Sequence, residues 1–457
     1  MSKYSLLFLL ALFLSSSVAA QNVDYQVLVN RSQRPEIFIN SMLLPGDNGK
    51  TTLAFTFRFN NDFLPYKKLT VDDKINAPDD AQFYTITRLN SEIFMGHEKG
   101  KLAAAKAAAR AQWSDTLFAE TFERTQSRKH YASGSLSTTL KAGLYNYVLQ
   151  LSLMKDNREV NTRRQNIRVH DLSKKKTGEI YWIKETEQDG AKQNLPLINM
   201  DNNVPFGKDF YALVRIPEFT QAHDYTIEIN EVRPEKKDTL KVRTVYTEKL
   251  STDQFKEEST ISLSKGENPS LIWEADGGAF TYALLQIPNS TFRNSAYKLT
   301  IVKEGQKSPV ATHFFRSYWP DMPASLYNLN VALNNLQFIV SDKELKRLKS
   351  GNEKEKRDKF REFWESKDPT PGTVYNELMA EYYRRIDYAY KEFRSEQNPM
   401  GHKSDQGKIY IKFGPPKNKE RLYPTDEKVR EIWTYGNRKF VFETGSGFGD
   451  FVLIGSS

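Results

Sequence analysis

In several stretches of this chain apolar residues recur at every second position, and that alternation constrains the fold more than any other feature. Leu53, Phe55, Phe57 and Phe59 form one set, and Tyr145, Tyr147, Leu149, Leu151 and Leu153 form another. Phe210/Ala212/Val214/Ile216, Tyr225/Ile227/Ile229 and Tyr297/Leu299/Ile301 follow the same rule. A period of two places one face of a strand in a core and the other in water. Aromatic residues make up 12% of the chain and many of them fall on the apolar positions, as β-sandwich cores require. The predicted fold class is two tandem antiparallel β-sandwiches of Ig-like type, followed by a C-terminal α+β module.

The first sandwich is expected over residues 21–172. Tyr25, Val27 and Val29 alternate, so residues 24–90 read as strands, with a turn at Pro45-Gly46-Asp47-Asn48-Gly49. Residues 91–128 break the pattern. KLAAAKAAARAQW favours a helix, and Trp113, Leu117, Phe118 and Phe122 continue one side of it. We read this segment as an inserted helix packed on the sandwich, in preference to a lid or partner-binding arm. Strand character returns through Ala142-Gly143, with a hairpin turn at Asp156-Asn157 and a return strand from Gln165 to His170. Residues 173–178, SKKKTG, read as a linker. The second sandwich is expected over 179–316. Its stretch Asn294 to Leu299 echoes Gly143 to Leu149, a weak internal repeat.

At 457 residues the chain is long enough for about three domains. Residues 1–20 have the form of a secretory signal peptide. Lys3 is basic, Leu6 to Leu14 is apolar, and Val18-Ala19-Ala20 supplies small residues before Gln21. The apolar run falls short of the roughly 20 residues a spanning helix needs. The chain has no cysteine, hence no disulfide and no acylated cysteine. An exported, cysteine-free protein fits a Gram-negative envelope, periplasmic or associated with the outer membrane, without a transmembrane segment once the signal is removed. The end Gly455-Ser456-Ser457 carries no evident sorting segment, which favours the periplasm. Formal net charge is +9, or +8 without Lys3. Residues 341–361 hold nine basic and five acidic side chains, the mixture of a solvated helix face. Export argues against a nucleic-acid partner.

After Pro320 and Pro323 the period becomes helical. Leu326, Leu329, Leu333 and Leu336 share a side, and Leu345 and Leu348 continue it. The C-terminal module is expected over 324–457. The segment Asp368-Pro369-Thr370-Pro371-Gly372-Thr373 stops one helix and starts the next, with Thr373 as N-cap. That next helix is expected over about 374–395. Its apolar face is Tyr375, Leu378, Met379, Tyr382, Ile386, Ala389 and Phe393, and its polar stripe is Glu377, Glu381, Arg384 and Tyr388. Gly401-His402-Lys403-Ser404-Asp405-Gln406-Gly407 reads as a compact turn held by Asp405. Lys408–Phe413 reads as a strand ended by Gly414-Pro415-Pro416. Ile432–Tyr435 and Phe440–Phe442 form a hairpin through Gly436-Asn437, and Asp450–Ile454 closes a small sheet.

Phe363-Trp364, Asp368-Pro369, Asn376-Glu377, an arginine at Arg384 or Arg385, and Gly414-x-Pro416 stand in this order in the chain. With them, residues from about 324 to 454 closely resemble the GWxTD-domain family of secreted bacterial proteins. The resemblance implies an exported protein and an α+β module, and it implies no activity. The naming motif departs here: Gly401-His402-Lys403-Ser404-Asp405 keeps the glycine and aspartate, replaces threonine with serine, and puts histidine where the family has tryptophan.

Three functions are weighed from these residues. One is a non-catalytic binding or scaffold protein whose partner is an envelope protein or polysaccharide. It fits the absence of H-E-x-x-H, G-x-S-x-G, cysteine and phosphate-cradling glycine loops, and no cofactor is expected. The histidines His97, His130, His170, His223, His313 and His402 lack ligand spacing, so no metal is expected. The alternative is a hydrolase of envelope glycan or peptide using Glu377, Glu381, Asp405 and His402, since paired carboxylates can divide acid and base roles. Glu–Arg bracing between the helix and the turn explains the same residues without chemistry, and we prefer it. Anionic glycan or lipid binding by Lys343–Arg361 is a third reading.

Overall fold

The computed structural model describes residues 25–32, 36–96, 107–154, 158–190, 192–236, 239–264, 266, 268–396, 398–425, 428–445 and 450–457. The chain divides into two units. One runs from Pro35 to Trp319, and the other joins the residues before it to Pro320–Ser457.

The N-terminal alternation misleads. Tyr25–Ser32 is a helix, α1, where a strand was expected. Tyr25, Leu28 and Val29 lie at i, i+3 and i+4 and are buried, while Val27 faces out. Leu28 breaks the period of two and completes a helical face.

The first sandwich uses β1 (Ile37–Pro45), β2 (Thr51–Asn60), β3 (Lys67–Lys68), β4 (Phe83–Met95), β5 (Ala109–Ala119), a short helix α2 (Phe122–Thr125), β6 (Tyr131–Leu140), β7 (Gly143–Leu153), β8 (Arg158–Asn161) and β9 (Gln165–Val169). One sheet has the order β1-β2-β6. The other runs β3-β4-β7-β8, with β5 on β4 and β9 on β7. Phe55, Phe57 and Phe59 face Leu89, Ile93 and Leu149 across the core. The helix expected over 91–128 is corrected by this arrangement. Residues 97–106 lie outside the described residues, and Ala109–Ala119 pairs with β4 from Ile93 to Phe83. Trp113 packs on Phe57 at 4.7 Å, so cross-sheet packing overrides the helix propensity of the alanines. The proposed turn at Asp156-Asn157 also falls outside the described residues.

The second sandwich uses β10 (Ile180–Ile183), β11 (Glu187–Asp189), β12 (Lys192–Pro196), β13 (Asn203–Pro205), β14 (Phe210–Arg215), β15 (Tyr225–Lys236), β16 (Thr239–Lys249), β17 (Phe255–Ser264), β18 (Ser270–Ala275), β19 (Phe280–Ile287), β20 (Ala296–Lys303) and β21 (Ala311–Tyr318). The sheets are β10-β14-β19-β17-β18-β12-β11 and β13-β21-β20-β15-β16. The internal repeat has a physical counterpart. Tyr145 donates its hydroxyl to the Lys141 carbonyl at 3.1 Å, and Tyr297 does the same to Arg293 at 2.8 Å. Each tyrosine thus pins the entry of a core strand to the backbone four residues upstream, in the manner of an Ig tyrosine corner.

The two sandwiches share a third core. Met42, Leu44 and Ala54 on the outer face of β1–β2 pack with Tyr181, Ile183, Leu195 and Tyr282. Tyr181 donates to the Leu43 carbonyl at 2.6 Å, and Asn199 reaches the Phe57 carbonyl at 2.6 Å. Four sheets therefore stack as four layers. The segment read as a linker, 173–178, is pinned: buried Arg215 bonds the carbonyls of Lys175 and Thr177 and the Glu179 carboxylate.

The C-terminal unit contains α3 (Leu329–Asn335), α4 (Asp342–Lys349), α5 (Glu353–Glu365), α6 (Glu377–Glu392), α7 (Asp405–Phe413) and the meander β22 (Asn418–Leu422), β23 (Arg430–Tyr435), β24 (Arg438–Thr444) and β25 (Phe451–Ser456). Helices pack on one face of the sheet through Trp364, Tyr383, Ile386, Trp433 and Phe442. Tyr25, Leu28 and Val29 of α1 belong to this core. Three local readings are corrected. The N-cap of α6 is Asn376, not Thr373: its side chain accepts from Met379 N–H at 2.7 Å and donates to the Trp364 carbonyl at 2.8 Å. The buried face of α6 takes in Tyr383 and Tyr390, while Leu378 points outward. Lys408–Phe413 lies in a helix rather than a strand, because Ser404 caps it and Gly414, at φ +79°, ends it.

Candidate functional site

The motif Gly401–Asp405 is built into the backbone of the unit. Gly401 lies against the end of α6, where a Cβ would come within 2.5 Å of the Ala389 carbonyl, so only glycine fits. Gly407 is equally constrained, since a Cβ there would lie 2.2 Å from the Gly401 carbonyl oxygen. Ser404 donates to the Gly401 carbonyl at 2.7 Å and accepts from Gly407 N–H at 3.0 Å, capping α7. Asp405 opens that helix. One carboxylate oxygen meets Lys408 at 3.0 Å, and the other accepts the Leu453 N–H at 3.1 Å, which ties α7 to β25. Burial works against its charge, yet Lys408 and the Leu453 N–H outweigh it and hold the carboxyl below its ordinary range.

His402 sits where the family has tryptophan. It is 3% exposed, inside a box of aromatic rings: Tyr25 at 5.6 Å, Tyr390 at 5.5 Å and Phe338 at 6.0 Å. Burial, helped by nearby Lys403, pushes its pKa down to about 4, so the ring is neutral at pH 7. Its Nδ1 has no hydrogen-bond partner among the described residues.

The other sequence candidates are elsewhere. Glu377 is exposed at the start of α6 and accepts the Thr370 hydroxyl at 2.6 Å. Glu381 pairs along the helix with Arg385 at 2.7 Å and Arg384 at 3.8 Å. Twelve residues of helix separate Glu377 from Ala389, where the motif packs, a span of about 18 Å at 1.5 Å per residue. Glu377 therefore does not meet Asp405 or His402, and the helix-to-turn Glu–Arg network expected from the sequence does not form. Arg384 bonds the Tyr375 hydroxyl at 2.9 Å. Arg385 crowds Gly414, where a Cβ would lie 3.0 Å from the guanidinium carbon. Phe363 and Trp364 stack edge to face, and Trp364 packs on Tyr382 and Tyr383. Asp368, followed by Pro369, accepts the Thr370 N–H at 2.9 Å. Pro416 follows the helix end at Gly414.

Two carboxylates of this unit, buried Glu431 and half-buried Asp387, were not among the sequence candidates. Glu431 has no exposed surface and takes bonds from Gln406 at 2.9 Å, Trp433 Nε1 at 2.7 Å, Arg421 Nε at 3.0 Å and Lys419 at 3.1 Å. Burial opposes its charge, but Arg421, Trp433 and Lys419 outweigh it and hold its pKa below the usual value. With its lone pairs taken by four donors, this carboxylate is a brace, not a base. Asp387 accepts from Tyr25 Oη and from the N–H groups of Ala324 and Ser325. Burial dominates there and raises its pKa. Both were visible as periodicity: Glu431 shares a strand face with Trp433, and Asp387 a helix face with Tyr383 and Tyr390.

Two shallow hollows flank α4. One, about 550 Å³, is lined by Ile339, Val340 and Phe363 together with Glu344, Arg347 and Lys367. The other, about 410 Å³, is lined by Asp342, Leu345, Lys346, Lys349 and Ser350. Neither contains Glu377, Glu381, His402 or Asp405. In the basic run, Arg347, Lys356 and Arg361 pair with Glu344, Glu353 and Asp358, and Lys359 caps the end of α4 through the Ser350 carbonyl. Among the described residues no cluster of three or more His, Cys, Asp or Glu could hold a metal, and no helix is long and apolar enough to cross a membrane.

Helices laid on one face of a four-stranded meander, with a glycine-led turn locked under the central helix, define an α+β structural module. The model of the GWxTD domain family matches residues 274–448, the C-terminal part of the chain. The match begins within β18, upstream of the C-terminal unit, and takes in β19–β21 as well. No curated protein matches the chain.

Proposed function

We propose that this chain is a non-catalytic binding or scaffold protein of a bacterial envelope, exported and retained in the periplasm or at the outer membrane. One observation carries the non-catalytic reading: Gly401, Ser404 and Asp405 are engaged in close packing, capping and a cross-tie to β25, and Glu377 lies about 18 Å along α6 from Ala389, where the turn packs. The export reading rests on the form of residues 1–20 and the absence of cysteine. Four stacked sheets offer a stiff platform for a partner, an envelope protein or polysaccharide. Against the hydrolase reading, Glu377 and Glu381 on α6 do not meet Asp405 or His402 among the described residues.

The test combines turnover with stability. Purified protein is assayed on peptidoglycan fragments, glycans and peptides beside Glu377→Gln, Glu381→Gln and Asp405→Asn. No variant should change turnover. Glu377→Gln should leave unfolding free energy within about 0.5 kcal/mol, because its carboxylate is on the surface. Asp405→Asn should lose about 0.5–1.5 kcal/mol with the tie to Leu453 weakened. Turnover abolished by Glu377→Gln or Asp405→Asn at unchanged melting temperature would overturn the proposal.

A further inference from the structure

We propose that the C-terminal unit carries a cradle for a short amphipathic helix led by a tyrosine, and that α1 is its resident, exchangeable occupant. Tyr25 places its hydroxyl on Asp387, and its ring lies 4.4 Å from Tyr390 and 5.6 Å from His402. Leu28 and Val29 enter the same core as Ala324, Tyr390 and His402's neighbour Phe338. The Tyr390 hydroxyl donates to Gln26 Oε1 at 2.7 Å. A tyrosine, one amide and two aliphatic side chains are thus read from a single helical face, the helix-in-groove mode of recognition.

Three features make this a binding site and not only a packing contact. α1 has eight residues, too few for a stable helix in water, so it is helical only while the cradle holds it. Asp387 keeps two donors outside α1, the N–H groups of Ala324 and Ser325, so the carboxylate stays positioned when the helix leaves. His402 is buried with Nδ1 lacking a partner among the described residues, and α1 does nothing for it. A buried polar atom without a bond is costly, and a guest that bonds it gains over α1. The partner is therefore a protein segment, helical when bound, with tyrosine in its first turn and a polar side chain set against His402. This deepens the binding reading above and names its kind of partner.

The test uses the full chain and a fluorescent synthetic peptide of residues 23–36. Tyr25→Ala loosens the resident helix, and a competing internal occupant lowers apparent affinity by the fraction of time the cradle is open. The peptide should bind the Tyr25→Ala chain saturably and at least about tenfold tighter than the natural chain, and adding Asp387→Asn should erase that gain. Equal, weak binding to both chains would overturn the proposal. Hydrogen exchange on the natural chain gives a second readout that needs no variant. The amides of α1 should exchange at least about a hundredfold faster than those of Tyr383 and Ile386 in α6. Equal protection would mean a permanent part of the core and would sink the idea. Either failure leaves the non-catalytic reading standing, since that rests on turnover.

Discussion

A histidine in place of an indole changes what the motif does with pH. His402 is neutral because burial holds its pKa to about 4, whereas an unfolded histidine titrates near 6.5. Between those values the unfolded chain binds more protons, so the folded state loses stability as pH falls through this window. His313, buried on Asn202 Oδ1 with its pKa also pushed down to about 4, acts with the same sign. Asp201, raised to about 6 by burial, and Asp387, raised above its usual value, act oppositely: the folded chain holds their protons and gains as pH falls. His402→Phe removes one term from this balance. Relative to the natural chain, it should gain about 2 kcal/mol of unfolding free energy between pH 6.5 and pH 4.5. Urea unfolding of both proteins at the two pH values measures it. A difference independent of pH would show that the imidazole is solvated in the folded state.

At the level of elements, the start of α7 shows what the sequence reveals and what it hides. Ile409, Ile411 and Phe413 alternate with Lys408, Tyr410 and Lys412, a perfect strand pattern. The element is a helix because Ser404 satisfies its first N–H groups and Gly401 and Gly407 let it approach α6 closely. Ser404→Ala should therefore cost about 1–2 kcal/mol and raise hydrogen exchange across Gln406–Lys408, with β2 unaffected. An unchanged exchange rate would remove the cap from the account. Short alternations fail for the same reason at Tyr25–Val29, where three or four residues fit either period and tertiary contacts decide. The Ala-rich stretch around 101–113 fails in the other direction, since the part described as β5 is recruited by β4 and Phe57. Long alternations such as Leu53–Phe59 and Tyr145–Leu153 were legible, because four or five positions leave no second solution. The spacing of the candidate carboxylates was not legible: it depends on which end of α6 the turn packs against, and no local pattern states that.

Across the whole molecule, the deciding question is whether the sandwiches are beads or a block. Leu44 separates the answers. It is 1% exposed and sits on the outer face of β1, in the core shared with β10, β12 and β18, away from the aromatic interior of its own sandwich. Leu44→Ala should cost about 2–5 kcal/mol through lost burial and a residual cavity. If the shared core couples the sandwiches, exchange should rise together in β2 and in β14, on strands from both. Independent beads would confine the change to β1, β2 and β6. Coupling has a functional consequence for the binding role proposed above. A partner held by one sandwich would meet a surface whose geometry is fixed by four sheets, so less ordering entropy would be lost on association than with a jointed pair.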